Sequence, residues 1–244
     1  MQPTFRYTDR QEAGRHLTRH LARFESRDPL VLALPRGGVP VAFEVARALR
    51  APLDVWVARK LGIPQQPELG FGAISSGDVT VIDEATIRAT GLSSTDIQAV
   101  VSREREELRR RTDRYRSNRT DPADRVPGRH VIVVDDGLAT GLTAEAALRS
   151  IRGRQPASIT LAVPVAASDS ARRIKEVADA FVCPLETDDL VAIGVWYRRF
   201  PQLSDEDVLA LLEKAARSRH ARSPRDEVFP DRSFDSSHPS RRDA

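Results

Sequence analysis

Asp135 and Asp136 stand side by side at the end of an unbroken apolar run, Val131-Ile-Val-Val134, and are followed by Gly137, Thr140, Gly141 and Thr143. Four consecutive β-branched residues make a strand too apolar to face water on either side, which places it in the middle of a parallel sheet. The alanine-rich run from Ala144 to Ile151 reads as a helix. The segment therefore orders a strand, an acidic pair, a small-residue loop and a helix amino terminus. The unpaired N–H groups and positive dipole end of such a helix favour a phosphate, and threonine hydroxyls can add hydrogen bonds to its oxygens. The aspartates cannot hold the same phosphate, because like charges repel. They are suited to accept hydrogen bonds from sugar hydroxyls, so the whole motif fits a phosphorylated sugar.

Other chemistries that use similar segments fail on particular residues. A P-loop needs a lysine where Leu142 stands. A dinucleotide fingerprint needs G-x-G-x-x-G, whereas Gly137 and Gly141 are four apart. A receiver domain needs a late lysine, and after Lys175 the only lysine is Lys214, in a C-terminal helical stretch. A plain turn after a buried strand is the remaining alternative and needs no ligand.

The elements that must position these residues alternate. Ala13, Leu17, Leu21 and Phe24 recur at helical spacing behind Thr8 and Gln11, predicting a first helix from about 9 to 25. Leu30 to Leu34 reads as a buried strand, Val39 to Leu49 as a helix and Leu53 to Ala58 as a second strand. A turn sequence, Ser76-Gly77-Asp78, predicts a hairpin. Ser93 and Asp96 cap a long helix reaching about Ser117, and Pro122 to Gly128 reads as a linker. Ile159 to Val163 is a strand, Ser168 to Val177 a helix and Ala180 to Cys183 the last core strand. The pattern predicts an α/β fold: a parallel sheet covered by helices on both faces, with a ligand at the strands' carboxyl ends.

A second anion site is expected at that same end. Leu34-Pro-Arg36-Gly37-Gly38 leaves the first core strand with one cation and two glycines that let backbone amides approach a ligand; as an isolated tripeptide, Arg-Gly-Gly is equally a common turn. Trp196 and Tyr197 can either stack on a flat ring or pack the fold. The arginines between 103 and 119 on the long helix are interleaved with Glu104, Glu106 and Glu107. Glu106 with Arg110 and Glu107 with Arg111 have the favourable i to i+4 order, so this is read as a solvated, self-paired face rather than an RNA-binding stripe.

With these residues in view, the chain resembles the type I phosphoribosyltransferases, whose ribose-phosphate signature is four apolar residues, two acids and a Thr-Gly loop ending in Thr. All positions from Val131 to Thr143 match, and motif order and spacing extend the resemblance over roughly residues 30 to 200. It is nearest to the short bacterial members whose acceptor is unassigned. The resemblance implies Mg²⁺-dependent transfer of ribose 5-phosphate from phosphoribosyl pyrophosphate to a nitrogenous base or amine, with release of pyrophosphate. Asp135 and Asp136 would hold the ribose hydroxyls and contact the metal mainly through substrate or water. Ala139, Thr140, Gly141, Leu142 and Thr143 would surround the 5′-phosphate, with Gly137 also in contact with the substrate. Arg36, Gly37, Gly38, Arg59 and Lys60 would face the pyrophosphate, with a non-proline cis peptide near Arg36. Leu61 to Gly70 would be the mobile flap, and Asp188 to Phe200 part of a base-binding hood, with Trp196 and Tyr197 as stacking candidates and the backbone of 189–191 at the base edge.

Two departures narrow the acceptor. Oxopurine enzymes of this family carry an Asp where Ala139 stands and a Lys after the following strand, where this chain has Val163-Pro164-Val165; hypoxanthine and guanine are disfavoured. A regulatory protein that binds phosphoribosyl pyrophosphate without turnover is the alternative from another class, and reaction on a related phosphosugar is a third reading.

Composition agrees with one domain of ordinary size: 244 residues, 40% hydrophobic and 30% charged. Residues 1–217 are expected to form it, with the core at about 30–60 and 128–184 and the hood from 1–28 and 186–217. The 38 Lys and Arg barely exceed the 35 Asp and Glu, so no nucleic-acid role is called for. A single cysteine, Cys183, in an apolar run is expected as a buried reduced thiol. Met1 to Gln11 lacks the apolar core of a signal peptide and no stretch has the length of a membrane span, so a cytoplasmic protein without membrane association is expected. A homodimer is carried as an expected assembly. From Ser218 the sequence is too polar to offset its ordering entropy, and 218–244 is expected to be a disordered tail.

Overall fold

The computed structural model describes residues 5–116 and 119–220. Its centre is a five-stranded parallel sheet built from β1 (Leu30–Ala33), β2 (Leu53–Val55), β6 (His130–Val134), β7 (Ser158–Ala162) and β9 (Ala180–Val182), in the order β2-β1-β6-β7-β9. The all-apolar strand β6 is in the middle, between β1 and β7, with Leu30 opposite Val131 and His130 opposite Ser158.

Both faces of the sheet are covered. Val31, Ala33, Ile132 and Val134 point to one side and join a core with α2 (Gly38–Ala48), α4 (Ser94–Arg116) and α7 (Asp205–His220). Leu30, Leu32, Val131 and Val133 point to the other and pack with α5 (Leu142–Arg152) and α6 (Ser168–Lys175). The period of two along each strand thus sorts successive side chains into two cores. Helix α4 starts as the sequence predicts, with the Ser93 hydroxyl accepting from the Asp96 amide at 3.1 Å. Its buried residues are Val100, Glu104, Leu108 and Tyr115. On the exposed face Glu107 holds both Arg110 and Arg111, each at 2.7 Å, so Arg110 takes its i−3 partner rather than Glu106.

Three expectations are corrected. The first helix, α1, covers only Arg10–Thr18; Leu21 and Phe24 are buried, but from a 3-10 turn over Ala22–Arg27. Apolar spacing reported which residues face inward and not how the backbone brings them there. The strand read as Leu53 to Ala58 is two strands: β2 ends at Val55, and β3 (Ala58–Ile63) leaves for a separate antiparallel sheet with β4 (Gln66–Ser75) and β5 (Val79–Ile82). The expected flap, 61–70, is consequently the closed end of the β3–β4 hairpin, with bulges on either side of Gly62. A Cβ on Gly62 would come within 2.4 Å of the Pro67 carbonyl oxygen, so this pairing needs glycine there. The expected turn at Ser76 to Asp78 does join β4 to β5.

Trp56, between β2 and β3, fastens the hairpin sheet to the rest. Its indole N–H is 3.2 Å from both the Ser75 and the Ser150 hydroxyl oxygens, joining β4 to α5. Trp56→Phe removes the shared donor together with the pyrrole half of a buried indole, and a loss of about 2 to 3 kcal/mol in denaturant unfolding is expected; an unchanged midpoint would show that neither the donor nor the indole's bulk makes this joint.

A short parallel pair, β8 (Val165–Ala167) with β10 (Leu185–Thr187), lies beside the main sheet. Next to it two segments distant in sequence meet, Tyr7 bridging Tyr197. Residues 218–220 complete α7; the rest of the tail expected over 218–244 lies outside the described residues. Among the described residues no helix is long and apolar enough to cross a membrane.

Candidate functional site

The carboxyl end of β6 lies where the sheet changes direction. From β1 the chain goes to one face through α2, and from β6 to the other through α5, so the amino termini of these two helices flank a crevice between adjacent strands. In open α/β sheets such a reversal is where ligands bind.

Asp135 and Asp136 occupy this position. The Asp135 carboxylate accepts the Asp136 amide at 2.8 Å, and the Asp135 amide donates to the Ala162 carbonyl at 3.4 Å. Burial, and then the neighbouring Asp136 charge, raise the Asp135 carboxyl well above the usual carboxylate range. Gly37 and Gly38 lie against this pair. A Cβ on Gly37 would fall 2.1 Å from Asp136 Oδ2, and one on Gly38 would fall 2.6 Å from the Val134 carbonyl oxygen and 2.9 Å from Asp135 Cα. The glycines expected to admit a ligand to the backbone therefore first admit the start of α2 to the two aspartates. The peptide between Pro35 and Arg36 is cis, as the resemblance to the family's pyrophosphate loop implies.

Asp136 is 7% exposed and its Oδ2 receives the Arg10 Nε at 2.8 Å. Arg10 also donates to the Pro201 carbonyl at 2.8 Å and lies 3.7 Å over the Phe200 ring. The sequence reading missed Arg10: it sits among other charged residues at the start of α1, and no local signal marks it. Asp136 offers one further contact, its carbonyl accepting the Tyr197 hydroxyl at 2.6 Å. Tyr197 is 3% exposed and packs with Tyr7 and Phe200, with ring centroids 5.8 Å and 5.0 Å away. Of the two roles open to it, the geometry gives Tyr197 packing rather than stacking on a ligand. Its neighbour Trp196 is half-buried, and its indole N–H has no hydrogen-bond partner among the described residues.

The loop behind the acids runs through Gly137, packed under Ile193, to Gly141, which adopts φ 76° and begins α5 without a side-chain cap. The first N–H groups of that helix have no intrahelical acceptor. Leu138 anchors the loop to β8, its amide donating to Val165 and its carbonyl accepting from Ala167, both at 2.9 Å. Thr140 is exposed and Thr143 half-buried.

The basic residues are arranged differently from expectation. Arg59 and Lys60 lie within β3, opposite Ile74 and Ala73, and not at the end of a core strand. Arg59 is ion-paired with Glu104 of α4, its Nε 3.0 Å from Oε2 and its Nη2 in contact with the same oxygen. Arg36 is half-buried beside the start of α7. There burial raises the Asp205 carboxyl, but a 2.5 Å bond from the Tyr115 hydroxyl and the Arg111, Arg36 and Arg114 charges outweigh it and leave it below its ordinary value. Cys183 is a free, half-buried thiol, pushed up to about 12 by burial.

Mg²⁺ takes oxygen ligands and keeps several waters, so one or two carboxylates with substrate oxygens make an adequate site. Among the described residues no group of three or more His, Cys, Asp or Glu could hold a metal. The adjacent carboxylates of Asp135 and Asp136 fit a magnesium ion brought in by a substrate.

The family model described as "Phosphoribosyl transferase domain" matches residues 7–197. Two Mycobacterium tuberculosis strains, H37Rv and CDC 1551, each hold a relative 46% identical over 213 residues, named "Putative phosphoribosyl transferase". The match takes in 86% of this chain and 47% of theirs; the chain spans about half the length of the curated relatives it matches. The crystal structure of TT1426 from Thermus thermophilus is 40% identical, with a TM-score of 0.70, covering 86% of this chain and 99% of that one.

Proposed function

Since the chain belongs to the phosphoribosyl transferase domain family, we propose that it transfers ribose 5-phosphate from phosphoribosyl pyrophosphate to a nitrogenous base or amine. The carrying observation is the convergence of two helix amino termini and two adjacent carboxylates at the carboxyl end of the central strand. In this reading residues 1–217 are one cytoplasmic domain, its core at about 30–60 and 128–184 and its hood from 1–28 and 186–217.

The acceptor nitrogen forms a bond to ribose C1 while the bond from C1 to pyrophosphate breaks, and the acceptor gives up a proton. Positive charge grows on the sugar and negative charge on the departing oxygens. Asp135 and Asp136 accept the ribose hydroxyls and favour the cationic sugar. Residues 139–143 grip the 5′-phosphate, and that binding energy holds C1 in line. Arg36, Lys60 and the amides of Gly37 and Gly38 receive the pyrophosphate. Arg59 joins them by exchanging Glu104 for the substrate. Asp135 and Asp136 would hold a Mg²⁺ brought in with the pyrophosphate, mainly through substrate or water, and the ion would supply charge neutralisation at the leaving oxygens. Trp196 offers a ring face to the acceptor, with the backbone of 189–191 along its edge.

One observation favours a second reading, a regulator that binds without turnover: Asp136 and Arg59 are both engaged in internal ion pairs. Pyrophosphate release from phosphoribosyl pyrophosphate with Mg²⁺ separates the two when screened over a panel of bases and amines. Release that depends on one acceptor, with hypoxanthine and guanine inactive, is expected. Tight binding with no release for any acceptor would give the protein to the regulatory reading.

A further inference from the structure

We propose that Ser170 and Arg173 of α6 are positioning residues that set the direction of the phosphate loop's amides. This rests on the reading of 139–143 as the 5′-phosphate site. Three successive carbonyls of the loop are taken up on one side: Leu138 by the Ala167 amide at 2.9 Å, Ala139 by the Ser170 hydroxyl, and Thr140 by Arg173 Nη2. In a trans peptide the C=O and the following N–H point in opposite directions, and these peptides are trans. The N–H groups of Ala139, Thr140 and Gly141 are therefore all turned away from β8 and α6, toward the open side where Thr140 is exposed. Together with the first amides of α5 they form a row of donors such as anions seek.

Each grip has its own support. Ser170 is 3% exposed and packs against Gly141, where a Cβ would come within 3.3 Å of Ser170 Cβ; its hydroxyl has little room to turn elsewhere. Arg173 has Glu145, buried in the first turn of α5, behind it as an ion-pair neighbour, Oε2 lying 3.9 Å from Nε with no hydrogen bond between them. Two carbonyl oxygens directed at a phosphate would repel it, so the grips act by removing a repulsion as well as by presenting donors.

The experiment compares two probes, ribose 5-phosphate and magnesium pyrophosphate, by titration calorimetry on the full chain. Ser170→Ala and Arg173→Met are each expected to weaken ribose 5-phosphate about tenfold and to leave pyrophosphate within about twofold. Arg173→Lys, which keeps the charge and one donor, is expected to recover part of the loss. Arg173 is half-buried and lies at the surface end of α6, so its variants disturb packing less than Ser170→Ala and test the idea independently of it. Ribose 5-phosphate binding unchanged in both variants overturns the proposal, and so does an equal loss for both probes, which marks a general defect. Wild-type protein that binds no ribose 5-phosphate removes the underlying reading of the site, a result distinct from either.

Discussion

An Asp135→Asn, Asp136→Asn double variant is expected to release pyrophosphate from phosphoribosyl pyrophosphate at least about a thousandfold more slowly than the wild type. Both charges that favour the cationic sugar are gone, and so are two acceptors for its hydroxyls. The single Asp135→Asn variant adds a readout that does not depend on activity. Burial and the Asp136 charge raise the Asp135 carboxyl in the folded protein. A raised acid is stabilising below its unfolded value near 3.8, where both states are protonated, and that contribution is lost as pH climbs through the folded value. Asparagine imitates the protonated form and never ionises. Thermal melts should therefore show the two proteins alike at about pH 3.5 and the variant the more stable at neutral pH. A variant that is slower and more stable is the mark of a group placed for chemistry at the expense of the fold. Undiminished pyrophosphate release would end the assignment of the acids, and a variant less stable at pH 8 would contradict the environment described for Asp135.

Arg10→Met is expected to cost about 3 to 5 kcal/mol, the range found when one member of a buried ion pair is removed and the other is left uncompensated. Arg10 is 8% exposed, so methionine can follow the apolar part of its course, and the loss falls on the Asp136 carboxylate, the Pro201 carbonyl and the Phe200 ring. For a chain of this size the melting temperature should drop by roughly 10 °C. The same substitution in an Asp136→Asn background should cost much less, because the charge that Arg10 compensates is already absent. Equal costs in the two backgrounds would show that the guanidinium contributes by packing on Phe200 and not through Asp136.

What the sequence disclosed follows the range of the interactions involved. β6 was legible because four β-branched residues in a row fit only a strand covered on both faces, and α5 because small residues follow a glycine at the required positive φ. The cap of α4 is a contact three residues long, Ser93 to Asp96, and was equally plain. Arg59 with Glu104, 45 residues apart, and Arg10 with Asp136, 126 apart, leave no periodic trace. The placing of Arg59 and Lys60 at a strand end fails for the same reason: apart from Asp54 the residues from Leu53 through Ala58 are all apolar, and only the partner strand β4 shows that the chain has changed sheets at Trp56. Tyr197 carried two meanings in sequence, and its hydroxyl's bond to a carbonyl 61 residues earlier selects one.

The bridge between Tyr7 and Tyr197 bears on how the protein is made. Arg10, at the start of the chain, and Tyr197, near the end of the described part, both fasten Asp136 in the middle. During synthesis the parallel strands can pair as they emerge, whereas the roof over the acids waits for its last contributor. The cover of the crevice thus forms late, and until Tyr197 emerges a nascent chain carries Asp136 without that part of the contacts the finished protein gives it.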